Sequence, residues 1–142
     1  MPSPTAPLSM IVRMRDAINA HDLDTLAACF APDYASEFPA HPDRAFRGTD
    51  SMRKNWTQIF AGVPDLAATL VHSSSADGTV WGEWDWRGTR ADGAAFAMRG
   101  VTILGVEDDL ITWARMYMEP VEMGGAGNDA AVRQRVAGGG SA

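Results

Sequence analysis

At Leu66 the hydrophobic pattern of this chain changes period, from apolar residues every three or four positions to alternation. That switch sets the order of the fold: helices first, then a long sheet. Before it, Leu8, Ile11, Val12 and Ile18 share one helical stripe, which predicts an amphipathic helix over about 8–20. Asp22 is placed to cap a second short helix with Leu23, Leu26, Ala27 and Phe30 on one face and Pro32 as its stop. Tyr34 to Phe38 is β-compatible, and Pro39-Ala-His-Pro-Asp then forces a loop. Thr49 is expected to cap a third helix that repeats Met52, Trp56, Ile59 and Phe60 and ends at Gly62 and Pro64. Beyond Leu66, runs at about 66–74, 79–90, 94–106 and 110–120 are separated by Asp77-Gly78, Asp92-Gly93 and Glu107-Asp108-Asp109. Such spacing predicts consecutive hairpins, hence an antiparallel meander, and an α+β fold with three N-terminal helices covering one face.

With 142 residues there is room for one domain. We place it at 8–122, between a flexible start at 1–7 and a Gly-rich tail at 123–142 expected to be disordered, with at most a frayed helix. Twelve basic against eighteen acidic residues give a net charge of −6, which argues against a nucleic-acid partner. No run approaches the ~18 apolar residues of a membrane span, and Met1-Pro-Ser-Pro-Thr-Ala-Pro has no basic leader region, so a cytoplasmic protein is expected. The single cysteine, Cys29, allows no intrachain disulfide and no multi-cysteine metal site. Gly125-Ala-Gly-Asn-Asp-Ala fits a dinucleotide-binding pattern by letter, but no βαβ unit can follow it.

Alternation sorts the strands into two faces. One carries Trp84, Trp86, Met98, Gly100, Thr102, Leu104, Ala114, Met116 and Met118. It reads either as core beneath the helices or as a cavity, with Gly100 and Ala114 removing bulk beside adaptable methionines. The other face carries Glu83, Asp85, Arg99, Arg115 and Glu119 among Trp81, Trp113 and Tyr117. It reads as cross-strand ion pairs, Glu83 and Asp85 against Arg99 and Arg115, on a surface where exposed aromatics favour a subunit contact. The opposite phase would instead turn those carboxylates into a polar site.

Asn19-Ala-His-Asp-Leu-Asp-Thr-Leu, Phe30-Ala-Pro-Asp and the ending Gly100-Val-Thr-Ile-Leu…Ile111-Thr-Trp-Ala-Arg-Met-Tyr-Met-Glu-Pro resemble the SnoaL-like branch of the nuclear transport factor 2-like superfamily, over about residues 8–120. The resemblance implies a cone-shaped α+β barrel whose curved sheet encloses a pocket, and usually a homodimer. Ketosteroid isomerases of this superfamily use a Tyr on the first helix and an Asp after the first strand; the matching positions here are Met14 and Phe38. Limonene epoxide hydrolases use an Arg-x-Asp pair and a further Asp; here Trp84, Trp86 and Met116 stand there, or Asp85 if the strand slips by one residue. Neither mechanism fits these residues.

The remaining candidates are few. His41, between Pro39 and Pro42, is the one candidate catalytic base, because its unperturbed pKa suits proton transfer near neutrality. Ser36 and Thr102 fall on pocket-facing positions and could hydrogen-bond a carbonyl. Met14, Phe38, Trp56 and Phe60 join Trp84, Trp86, Met98, Met116 and Met118 as the expected apolar lining for a hydrophobic small molecule. His21 suits the end of the first helix, His72 has no second ligand at metal spacing, and Cys29 reads as inert core, so neither metal nor cofactor is expected. Three functions are compatible. The first is a cofactor-independent cyclase, isomerase or dehydratase acting on a polyketide- or terpenoid-like molecule. The others are a non-catalytic binder of such a molecule and a dimeric interaction module.

Overall fold

The computed structural model describes residues 6–137. Helix α1 (Ala6–Ala20) is followed by α2 (Leu23–Ala27), strand β1 (Phe30–Glu37), a 3-10 turn at Pro42–Arg44, the two-residue strand β2 (Phe46–Arg47) and helix α3 (Thr49–Gly62). Then come β3 (Ala67–Ala76), β4 (Thr79–Thr89), β5 (Ala95–Glu107), β6 (Leu110–Pro120) and α4 (Asn128–Val136). The six strands form one open, curved sheet in the order β2-β1-β6-β5-β4-β3. The meander β3 to β6 is antiparallel as expected, but β1 joins β6 in parallel, so the sheet is mixed. The architecture is α+β, with the first three helices lying on the concave face. In the tail, α4 forms a helix with no buried residue, and the expectations for residues 1–5 and 138–142 lie outside the described residues.

The hairpin turns follow their sequences. Asp77 and Gly78 (φ 54° and 77°) and Asp108 and Asp109 (φ 51° and 60°) hold the paired left-handed conformation that a tight two-residue turn requires. The wider turn is tied by the Arg90 guanidinium on the Asp92 carboxylate, which also accepts the Ala94 N–H at 3.0 Å. Those bonds, the Arg90 one foremost, lower the Asp92 pKa from the ordinary 3.8 to about 2. The turn is therefore tied throughout the range above the unfolded-state value and loosens only as pH falls through about 2. The Ala94 amide proton shift, followed by NMR, should titrate with that low midpoint; a midpoint near 4, the value of a free carboxylate, would show the tie is absent in solution.

Three local expectations are corrected. The second helix stops at Ala27 rather than running to Phe30, because Ile111 N–H donates to Cys29 O at 2.8 Å and starts β1 there. Pro32, read as a helix stop, sits inside β1 where its register with β6 shifts between Phe30 and Ala35, an irregularity that tolerates a residue with no N–H. Thr49 is the first residue of α3 rather than its cap; Gly48 occupies the cap at φ 91°. Asp22 does cap α2, its carboxylate accepting the Thr25 N–H at 3.1 Å.

The alternation phase is the one in which the apolar set faces the helices: Trp84, Trp86, Thr102, Leu104, Ala114 and Met118 are buried. On the outer face Asp85 pairs with Arg99 at 3.6 Å, whereas Arg115 turns to Glu37 of β1 at 3.5 Å instead of to Glu83 or Asp85. Gly100 does not make room for a cavity. A Cβ there would strike Tyr117 O and lie 2.8 Å from Met118 Cα, so the glycine permits the close approach of β6.

Helix α1 is fastened to the edge strand β3 by two residues of the Asn19-Ala-His motif. Asn19 accepts the Ala68 N–H at 2.6 Å and donates to Ala68 O at 3.0 Å, so its amide stands in for a neighbouring strand. His21, in the left-handed conformation that ends α1, donates from Nε2 to Leu66 O at 3.0 Å and stacks on Phe60 at 4.5 Å. Replacing Asn19 by Ala should cost about 1–2 kcal/mol in denaturant unfolding; an unchanged midpoint would show that this pairing adds nothing.

Candidate functional site

Two aromatic groups form, one toward each edge of the sheet. On α3 and β4, Phe60, Trp56, Trp86 and Trp84 form a chain, with centroid separations of 5.5, 5.5 and 6.1 Å. On β1 and β2, Phe30, Tyr34, Phe46 and Phe38 form another, at 4.6, 6.0 and 6.3 Å. Register brings the methionines between them: Met98 is paired with Trp86, Met118 with Gly100, and Met116 with Thr102. Met14 reaches the same core from α1. Apart from Phe38, which meets Phe46, the apolar residues expected from sequence belong to the core or pack against it. They divide by exposure, however. Met14, Trp56, Trp84, Trp86 and Met118 are buried, whereas Phe38, Phe60, Met98 and Met116 are half-buried.

Polar groups are scarce on this side. Among the described residues Ser36 and Thr102 are the only buried polar residues of the Ser, Thr, Asn, Gln, His and charged types. Thr102 accepts the indole N–H of Trp84 at 2.9 Å. Tyr34 is buried beside Ser36; burial pushes its phenol well above the ordinary value, and the hydrogen bond with Ser36 pulls the other way. The phenol is therefore a neutral hydrogen-bond donor across the physiological range. Tyr34 was not among the residues expected at the site; its even spacing with Ser36 and Phe38 was the available signal. Trp86 Nε1 is buried without a hydrogen-bond partner.

His41 does not join this group. The loop after β1 carries it alongside β6, where Nε2 lies 3.1 Å from the Glu119 carboxylate. Glu119 registers with Arg99 and so belongs to the outer face, next to the inward-facing Met118. The pair is partly exposed, at the same end of the sheet as Trp86 and Met98. Cys29 is fully buried, and desolvation raises its thiol pKa, which keeps it protonated and unreactive. His72 is exposed on β3. Among the described residues no group of three or more His, Cys, Asp and Glu side chains is placed to hold a metal ion, and no helix is long and apolar enough to cross a membrane.

Three helices on the concave face of a curved six-stranded sheet, with an apolar interior, define the ketosteroid isomerase-like cone. Within that class the SnoaL-like domain family matches residues 11–114, and the chain belongs to it. A protein from Jannaschia sp. CCS1 described as a SnoaL-like polyketide cyclase superposes with a TM-score of 0.72 at 18% identity, over 84% of this chain and 89% of that one. IdmH from Streptomyces antibioticus, described as a polyketide cyclase, gives 0.70 at 23% identity over 80% and 91%. An epoxide hydrolase of M. tuberculosis resembling limonene epoxide hydrolase gives 0.71 at 17% over 83% and 86%. At these identities the likeness is one of fold. No curated protein sequence matches the chain.

Proposed function

We propose that this SnoaL-like protein takes up a hydrophobic, polyketide- or terpenoid-like small molecule between its helices and the concave sheet, and carries it through a cofactor-independent cyclisation, isomerisation or dehydration. One observation carries the reading: Phe60, Met98 and Met116 pack against the core yet stay half-buried, as the walls of an apolar interior with room for a guest would. Shape and exclusion of water would supply much of the effect. Tyr34 would act as the interior donor. His41 would be the base at the rim, its Nε2 tied to Glu119 and its Nδ1 left to take a proton. Native mass spectrometry of the purified protein tests the uptake, with a discrete retained guest expected. On a substrate so identified, His41→Ala should lower turnover about 100-fold; full activity would remove His41 from the chemistry.

The lack of a buried carboxylate among the described residues favours a second reading, a carrier that binds such a molecule without changing it. Recovery of the guest unaltered after long incubation would support it, and appearance of product would end it. Under either reading we propose a homodimer through the outer face, where Trp81 and Tyr117 are 50% and 41% exposed. The same mass spectrum reports subunit number, and a clean monomer would contradict the dimer.

A further inference from the structure

We propose that the indole N–H of Trp86 is the polar anchor of the concave site, and that its ligand is an uncharged, flat molecule presenting a carbonyl oxygen. This rests on the uptake reading above. The two neighbouring tryptophans of β4 differ in one respect. Trp84 donates to Thr102 at 2.9 Å, whereas Trp86, only 4% exposed, donates to nothing. A buried donor left unpaired costs more than a made hydrogen bond gains, so such atoms are rare and call for a partner. Of the other interior polar groups, Thr102 is engaged by Trp84, and Tyr34 and Ser36 lie on β1, separated from β4 by two strands.

The surroundings define the partner. Trp86 packs against Trp56 at 5.5 Å and registers beside the half-buried Met98, whose unbranched side chain can move aside for a guest. Flat aromatic walls favour a planar molecule. The donor needs an acceptor, which a carbonyl oxygen supplies and a protonated amine, having no lone pair, does not. No charged residue is buried among the described residues, so a carboxylate or ammonium placed here would lose its hydration with no counter-charge.

Three rigid probes of one shape test this: 9-fluorenone, fluorene and 9-fluorenone-2-carboxylate. The wild-type protein should bind 9-fluorenone about five-fold tighter than fluorene, the size of one net hydrogen bond. The carboxylate should bind at least about ten-fold more weakly than 9-fluorenone. Trp86→Phe should bind both neutral probes equally, whatever the smaller ring does to their common affinity. In the wild type, the Trp86 indole proton should move downfield with 9-fluorenone and stay with fluorene; this readout decides the matter if the variant fails to fold. Equal binding of the two neutral probes by the wild type, or a preference that survives in Trp86→Phe, overturns the anchor and leaves uptake standing. A Trp86 indole proton that contacts a bound water and ignores 9-fluorenone overturns it as well. Failure of every probe to bind would take down uptake and anchor together.

Discussion

Gly100→Ala is expected to lose about 3 kcal/mol of stability, at the upper end for overpacking by a single methyl. The added Cβ meets backbone, Tyr117 O and Met118 Cα, and backbone has no rotamer into which to retreat. Relief would require β5 and β6 to separate around the registers Gly100–Met118 and Val101–Tyr117, breaking ladder bonds in the middle of the sheet. Gly62→Ala at the end of α3, where nothing lies within 4 Å, is the matched control and should be neutral or slightly stabilising. Urea unfolding of both variants measures the contrast. Equal midpoints would mean that the strands accommodate the methyl and that their close approach is not a constraint.

Trp84→Ala should cost about 3–5 kcal/mol, the range for deleting a large buried aromatic. Trp84 is 1% exposed and lies at the centre of the concave face. Part of its contribution runs through Thr102, so Thr102→Val alone should cost about 1–2 kcal/mol by orphaning a second indole N–H. The double variant Trp84→Phe/Thr102→Val should then cost less than the sum of its single changes, because donor and acceptor leave together. Strict additivity in denaturant unfolding would show that the 2.9 Å contact has no energetic weight. Trp86→Phe, which removes a donor that was never paired, should destabilise less than Trp84→Phe.

Much of this could be read from residue order, and the reason is local. The phase of β4 to β6 follows from alternation because large apolar and charged residues take strict turns there, as in Glu83-Trp84-Asp85-Trp86-Arg87. What escaped reading depends on contacts between distant segments. The strand β2 is two residues long and exists only through Ala35–Arg47 and Ser36–Phe46. The orientation of His41 is set by Glu119, 78 residues further on. Gly100 looked like missing bulk; only the path of β6 shows that it admits backbone rather than a ligand. The lone N–H of Trp86 and the paired one of Trp84 carry the same letter and the same period, so pattern alone does not separate them.

The parallel seam between β1 and β6 has a kinetic consequence. Glu37 and Arg115, partners across it, are 78 residues apart, whereas β3 to β6 are joined by short connections. Loop closure taxes the seam and spares the hairpins. The meander should therefore gain amide protection early in refolding, before β1, and pulse-labelled exchange showing β1 protected first would reverse that order. During synthesis the wall of tryptophans on β4 emerges before the strand that completes the sheet around it. Until β6 is made, β1 and β2 have no strand of the meander to join, and the cone closes last.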